Sequence, residues 1–249
     1  MSHPRRAFVD LQTEDPINQR FFLDSGDSEH FRKVLRLRVD DFVTVVDPNK
    51  ERAFNARISD FAKHVEVEIL SPKPEKSFRS PVSILACALL KNDHNDLIVE
   101  KATELGVRQI CFFAGDRSVL RLKDDLKASK KLERWNKIAQ SSARQSIKLF
   151  YPTVALYGSL KTFLTATQGL PILYGSLEEQ ARPLAELLSN PQFPTSMIIG
   201  PEGDFSDEEI ALLSKNGALG LSLGNFVLRA ETAAICAVST LNTLAQLSS

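Results

Sequence analysis

The chain has 249 residues, 43% of them hydrophobic, and its 31 Lys and Arg balance 31 Asp and Glu. That composition supports a sizeable core in one large or two small domains, and no stretch approaches the roughly 18 uninterrupted apolar residues that a membrane span needs. Ser2-His3-Pro4-Arg5-Arg6 leads into no signal-peptide core, so a cytoplasmic protein with no membrane partner is expected.

The first recognisable element lies at residues 28–38, where Phe31, Val34, Leu35 and Leu37 sit among Arg32, Lys33, Arg36 and Arg38. It reads as a short amphipathic segment with a basic side. Runs rich in Val, Ile and Phe follow at residues 42–47, 52–58 and 64–70, separated by turn chemistry at Asp47-Pro48-Asn49 and Ser59-Asp60. They predict a compact antiparallel sheet or small barrel. Residues 1–72 hold 11 Lys and Arg against 13 Asp and Glu, so any contact with a polyanion here is local, and the Arg cluster is its candidate. Residues 71–81 carry three prolines and almost nothing apolar, a linker composition that places a domain boundary there and gives domains 1–74 and 75–249.

Residues 82–89 form an apolar run suited to a buried strand. Asn92 or Asp93 can cap the next helix, which carries Leu97, Ile98, Ala102 and Leu105 on one face and ends at Gly106. Residues 107–113 make another strand, so the pattern is a βαβ unit with a parallel sheet. Residues 125–147 read as a long helix with Leu126, Leu132, Trp135, Ile138, Ala139 and Ala143 inward. Around them lie Arg117, Arg121, Lys123, Lys127, Lys130, Lys131, Lys137, Arg144 and Lys148; residues 101–150 hold 12 Lys and Arg against 5 Asp and Glu, whereas residues 177–215 hold 2 against 8. This asymmetry permits a positive face for a polyanion beside an acidic face, the plain alternative being an ordinary solvated helix. A strand at 170–174 and a short helix at 182–188 follow. Cys87, Cys111 and Cys236 are widely spaced in apolar runs, which suggests buried small hydrophobes rather than disulfides or zinc ligands, and no metal is expected.

Residues 196–240 are the stretch around which the chain is organised: strand, glycine loop, helix, strand, second glycine loop, helix. The apolar run 197–199 stops at Gly200-Pro201 and turns on Gly203; Ser206 and Glu209 form a capping box opening a helix at Asp207 that ends near Gly217. A strand at 219–223 breaks at Gly224, and residues 230–247 form the closing helix. A glycine loop feeding a helix start usually suggests phosphate, but Glu202, Asp204, Asp207, Glu208 and Glu209 would repel one. A neutral or cationic ligand held by backbone groups fits better, and S-adenosylmethionine is such a molecule; ordinary complementation of the helix dipole accounts for the same acids.

The segments Ile199-Gly200-Pro201-Glu202-Gly203-Asp204-Phe205-Ser206 and Leu223-Gly224-Asn225-Phe226-Val227-Leu228-Arg229-Ala230-Glu231-Thr232-Ala233 resemble the paired motifs of the bacterial 16S ribosomal RNA (uracil-N3) methyltransferases. These belong to the trefoil-knot, or SPOUT, methyltransferases. The resemblance continues through His30, Val34-Leu35-Arg36, Lys91, the run 100–107, Arg117-Ser118 and Gln145, in order over nearly the whole chain. It implies an α/β fold: a C-terminal SPOUT methyltransferase domain, knotted at its end, behind a small PUA-like β-barrel that binds RNA. It also implies a homodimer with cofactor pockets at the subunit interface, and a single uridine in the decoding region of 16S rRNA in the small ribosomal subunit as substrate. The alternatives are another rRNA position or tRNA as substrate, or a non-catalytic assembly factor.

Cofactor contacts are expected from Tyr174, Gly175, Ile199, Gly200, Pro201, Glu202, Gly203, Leu223, Gly224, Asn225, Val227 and Leu228, largely through the main chain. Uracil N3 must lose its proton to act as nucleophile. Arg229 is the candidate for stabilising the resulting charge on uracil oxygen, the alternative being a structural pairing with Glu231 or Glu202. Glu231 is a candidate proton acceptor; no histidine is near either loop in sequence, so none is assigned. RNA contacts are expected from Arg32, Lys33, Arg36, Arg38, Arg117, Arg121, Arg144 and Lys148. Four positions depart from the family pattern: Asp204 replaces a usual glycine, Asn225-Phe226 stands where Pro-Arg is common, and Lys148 stands where Arg is frequent.

Overall fold

A computed structural model describes residues 5–75, 80–118, 125–178, 181–183, 186 and 193–247. The chain divides into two compact units, Met1–Phe78 with Ala143–Tyr151, and Arg79–Ser142 with Pro152–Ser249.

The first unit is built on strands β1 (Arg6–Phe8) and β2 (Arg20–Phe22), helix α1 (Ser25–Glu29), a π-type turn at His30–Val34, and strands β3 (Phe42–Asp47), β4 (Arg52–Asp60) and β5 (Glu66–Lys73). Their order is β1-β3-β4-β5-β2. β1 runs parallel to β3 while the other pairs are antiparallel, so the sheet is mixed rather than purely antiparallel. Alternation buries Val43, Val45, Phe54, Ala56, Ile58, Val67 and Ile69 on one face, where Phe31 and Leu37 close over them. β5 extends through Ser71-Pro72-Lys73, into the segment whose composition suggests a linker. Pro72 is tolerated because β2 pairs only with Glu66, Val67 and Glu68, leaving that end of β5 as an edge.

Residues 143–151 close a second small cluster of this unit, in which the Phe8 and Tyr151 rings stack 4.5 Å apart. Beside them Arg144 Nε lies 3.0 Å from the buried Asp27 carboxylate, whose other oxygen accepts the Phe8 N–H at 3.0 Å. Burial pushes Asp27 up to about 6, against the pull of Arg144. Between the unfolded value and that value the folded chain binds more proton, so this group's contribution to stability is complete in acid and disappears as pH rises through about 6. Denaturant titrations from pH 4 to pH 7 are expected to show a decline of up to about 3 kcal/mol from this source, and Asp27→Asn should flatten it.

Helix α3 (Asp125–Gln145) ends in a left-handed turn: the Lys148 N–H reaches the Ala143 carbonyl at 3.0 Å, with Ile147 at φ 58°. Glycine normally fills that place, and a β-branched residue is strained there. Ile147→Gly is expected to raise the stability by about 1 kcal/mol, read as a higher urea midpoint; a lower midpoint would refute the strain.

The second unit has a seven-stranded, all-parallel sheet. In chain order its elements are β6 (Val82–Ala88), α2 (His94–Glu104), β7 (Gln109–Phe113), α3, β8 (Thr153–Tyr157), α4 (Leu160–Ala166), β9 (Ile172–Gly175), β10 (Arg182–Pro183), β11 (Thr195–Ile199), α5 (Asp207–Lys215), β12 (Leu219–Ser222) and α6 (Ala230–Leu247). The strand order is β10-β12-β9-β11-β6-β7-β8. Leu85, Cys87, Ile110, Phe112, Met197 and Ile199 face α2, α3 and α6, while Ile84, Ala86, Cys111, Phe113 and Ile198 face α4 and α5. Both faces are therefore covered, as a parallel sheet requires.

Several local expectations are corrected. Asp93 sits at the N-cap of α2 but makes no side-chain cap bond, and the buried Asn95 instead bonds both the N–H and the carbonyl of Leu90. Leu126 is 74% exposed rather than inward. Trp135, also read as inward, is fully buried and anchors α3, its indole N–H donating to Asp96 at 2.9 Å. Arg182–Pro183 pair with Leu221 and Ser222 as a short strand, where a helix start is predicted; most of 184–188 lies outside the described residues. Cys87 and Cys111 are buried, burial pushing Cys111 up to about 12, while Cys236 is half-buried.

Candidate functional site

The sheet order determines where the site is. β11 inserts between β6 and β9, and β12 adds beyond β9, so the C-terminal ends of β9, β11 and β12 emerge side by side. The chain leaving them, at residues 175–178, 199–202, 204 and 222–229, lines a single cavity of about 470 Å³, completed by Ala230 and Ala233 of α6. Parallel sheets place ligands at such strand ends. Ten of the predicted cofactor residues line the cavity: Gly175, Ile199, Gly200, Pro201, Glu202, Leu223, Gly224, Asn225, Val227 and Leu228. Tyr174 and Gly203 support it from behind. Tyr174 packs edge-on to Phe205 at 5.8 Å, and a Cβ at Gly203 would press on Arg117 Cβ at 3.2 Å.

The first loop is held from its far side. Ser206 accepts the Glu209 N–H at 3.1 Å while Glu209 accepts the Ser206 N–H at 3.0 Å, closing the predicted capping box. The Ser206 hydroxyl also donates to Asp116 at 2.6 Å, and the Asp116 N–H donates to Glu209 at 3.2 Å. Burial raises the Glu209 pKa. Gly200 has no room for a side chain, since a Cβ would lie 3.0–3.2 Å from three atoms of the Phe205 ring. Asp204, which stands where a glycine is usual, adopts φ 61°; its carboxylate accepts the Phe205 N–H at 2.8 Å, the local bond that lets aspartate occupy the left-handed region. In the second loop Gly224 has φ 133°, which L residues rarely adopt.

Chemically, the cavity combines backbone-rich walls with three carboxylates, Glu178, Glu202 and Asp204, and one guanidinium, Arg229. Such a donor set fits a zwitterionic or cationic ligand with a polar extended frame and repels a polyphosphate. Arg229 is exposed and makes no ion pair among the described residues. Glu231 does not line the cavity: it lies in the first turn of α6, 9% exposed, with its carboxylate 3.0 Å from His94 Nδ1. A histidine is therefore present beside the second loop after all, brought there by the packing of α2 on α6. Sequence reading also missed Ser176, Leu177 and Glu178, for which no motif exists.

The predicted RNA residues divide. Arg36 and Arg38 are exposed, and the exposed Lys33 pairs with Glu29. Arg32 is tied down by the carbonyls of Phe61 and Ala62 and stacks over the Phe61 ring. Arg144 is occupied by Asp27, Asp24, Phe8 and Tyr151, so its contribution is internal. Arg117 donates to the Gly203 carbonyl at 3.3 Å and lies 3.8 Å from Asp207, so it braces the first loop. Lys148 is half-buried, its carbonyl accepting from Arg6, and Arg121 lies outside the described residues. Among the described residues no cluster of His, Cys and carboxylates could hold a metal, and no helix is long and apolar enough to cross a membrane.

Comparison with known proteins bears on the same regions. A family described as "RNA methyltransferase domain" matches residues 78–242, and one described as "RNA methyltransferase PUA domain" matches residues 23–70. The ribosomal RNA small subunit methyltransferase E of Mesomycoplasma hyopneumoniae is 32% identical, covering 92% of this chain and 95% of that protein. Its Bacillus subtilis namesake is 27% identical over 96% of both chains. Among solved structures, a putative methyltransferase from Legionella pneumophila in complex with S-adenosylmethionine superposes with a TM-score of 0.84 at 30% identity, covering 97% of this chain and 98% of that one. The ribosomal RNA small subunit methyltransferase E of Neisseria gonorrhoeae, bound to S-adenosylmethionine, superposes with a TM-score of 0.85 at 26% identity and the same coverage.

Proposed function

This chain belongs to the ribosomal RNA small subunit methyltransferase E family, and from that premise we propose that it transfers a methyl group from S-adenosylmethionine to N3 of one uridine in the decoding region of 16S rRNA. The observation that carries this reading is the convergence of three strand-end loops on one cavity with Arg229 in its wall. When bound, S-adenosylmethionine supplies an electrophilic methyl on a positive sulfur. The residues that would hold it are the two glycine loops and the 175–178 segment, with Glu178, Glu202 and Asp204 offsetting its charge.

The protein's own task is then positioning and charge. The uridine's Watson–Crick edge has to be unpaired or swung out of the helix to present N3. Arg229, fixed at the start of α6, stabilises the negative charge that develops on a uracil oxygen as N3 loses its proton. Residues 1–74 are read as the RNA-binding unit, using Lys33, Arg36 and Arg38, and residues 75–249 as the methyltransferase domain, with Lys127, Lys130 and Lys137 of α3 as further phosphate contacts. Leu177, Phe226 and Val227, 61%, 84% and 78% exposed around the cavity, are apolar groups that a second copy of the chain would cover, in keeping with a homodimer. The family resemblance adds the knotted threading of the C-terminal segment and a cytoplasmic site of action on the small subunit.

Methyl transfer from labelled S-adenosylmethionine to hypomethylated small subunits tests the reading. A single new N3-methyluridine in the small-subunit RNA is the expected product. Label on tRNA, on another base, or on nothing overturns it.

A further inference from the structure

We infer that His94 is a positioning residue for methyl transfer: by holding the Glu231 carboxylate it keeps that carboxylate off Arg229 and leaves the guanidinium available to substrate. The inference rests on the role given to Arg229 above.

Arg229 immediately precedes α6 and Glu231 is the second residue of that helix. Both side chains are long, so at a helix start, where no preceding turn screens them, each is the other's nearest opposite charge in the chain. A pairing of the two would be a contact local to the helix start, reached only by turning one side chain around it, since residues two apart do not face each other along a helix. The fold gives Glu231 a longer-range contact instead. α2 packs against α6 through Ile98, Ala102, Ala234 and Val238, and this sets the first residue of α2, His94, with Nδ1 3.0 Å from Glu231 Oε1. A proton on Nδ1 would be directed at that carboxylate. Glu231 is thereby buried against His94, whereas Arg229 stays exposed at the cavity wall. Were Glu231 released, it would be a buried carboxylate without its donor and would turn toward the only cation within two residues. The carboxylates already in the cavity, Glu178, Glu202 and Asp204, are common to every variant below and form a constant background.

The test uses the full-length protein, single-turnover methyl transfer to hypomethylated small subunits, and calorimetry with S-adenosylmethionine. His94→Ala is expected to lower the transfer rate about tenfold with the donor Kd unchanged, since an electrostatic group is neutralised while the cofactor walls stand. His94→Asn, whose amide can donate from nearly the same place as Nδ1, should restore most of that loss. Glu231→Gln alone should remain active. The double variant His94→Ala/Glu231→Gln should recover toward the wild-type rate, because an amide cannot neutralise Arg229; a merely structural role for His94 would leave it as slow as the single variant. His94→Leu carries the same test should the alanine variant fail to fold. Wild-type rates for His94→Ala and His94→Leu, no recovery in the double variant, or loss of transfer in Glu231→Gln would each overturn the inference, the last by making Glu231 itself the proton acceptor. Arg229→Ala separates the two levels: normal turnover there ends the reading of Arg229, whereas a slow Arg229→Ala beside a normal His94→Ala ends only the positioning role.

Discussion

Arg229→Ala is expected to bind S-adenosylmethionine almost normally and to transfer methyl about 10²–10³-fold more slowly. Nearly normal binding follows from the construction of the cavity, whose walls are the loops leaving β9, β11 and β12 and include Arg229 as one exposed group at the rim of α6. The fall in rate follows from the chemistry of a uracil that must shed its N3 proton before it can attack. Negative charge appears on its oxygens only as that happens, so a fixed cation there acts on the transition state more than on the ground state. Arg229→Lys keeps the charge but loses the planar fork and should fall between the two. Calorimetry for binding and a single-turnover assay for rate decide the matter, and a wild-type rate with alanine would remove Arg229 from the mechanism.

Gly200→Val should do the opposite, weakening the donor Kd by at least about tenfold. A Cβ at residue 200 falls 3.0–3.2 Å from the Phe205 ring, which is buried and braced edge-on by Tyr174 5.8 Å away. A buried ring must be displaced, or the loop must shift, to admit the side chain, and overpacking of this kind costs about 1–3 kcal/mol. Gly158→Ala is the matched control: nothing lies within 4 Å of its added Cβ, and it sits outside the cavity, so binding should not change. Equal affinities for wild type and Gly200→Val would mean that the first loop does not form the donor's seat.

The places where local reasoning succeeded share a cause. α5 and α6 are punctuated by their own residues, the Ser206–Glu209 box for one and the break at Gly224 before the other, and they begin where expected, at Asp207 and Ala230. β3 spans Phe42–Asp47 as read, because one face is buried and turn residues bound it. The elements that escaped notice are short or peripheral. β1 and β2 have three residues each, too few for a period to register, and β8, at the sheet's edge, has no fully buried residue. α4 begins with a Ser159–Thr162 capping box, in which threonine takes the place usually held by Glu or Gln, so the usual signal was missing.

Within the site, the two glycine motifs were legible because a loop that presents its backbone has to be spelled in glycine, proline and small turn residues. The 175–178 segment was not, for Ser176, Leu177 and Glu178 present side chains of no special type. Two of the cations expected to contact RNA have partners that local charge counting could not anticipate: Arg144 is bound to an aspartate 117 positions away and Arg32 to carbonyls about 30 positions away.

The amino-acid sequence by itself determined the alternation of strand and helix, the two glycine-broken loops and the acidic ring around one of them, since each depends on propensities and bonds spanning a few residues. Only the tertiary structure decided that β11 enters between β6 and β9, which brings three loops to one cavity, and that Glu231 meets His94 rather than Arg229. Contacts of that range cost chain entropy that no single pair repays. They form because burying both faces of a seven-stranded sheet stabilises the whole arrangement at once, and the side chains of the site take whatever partners that packing delivers.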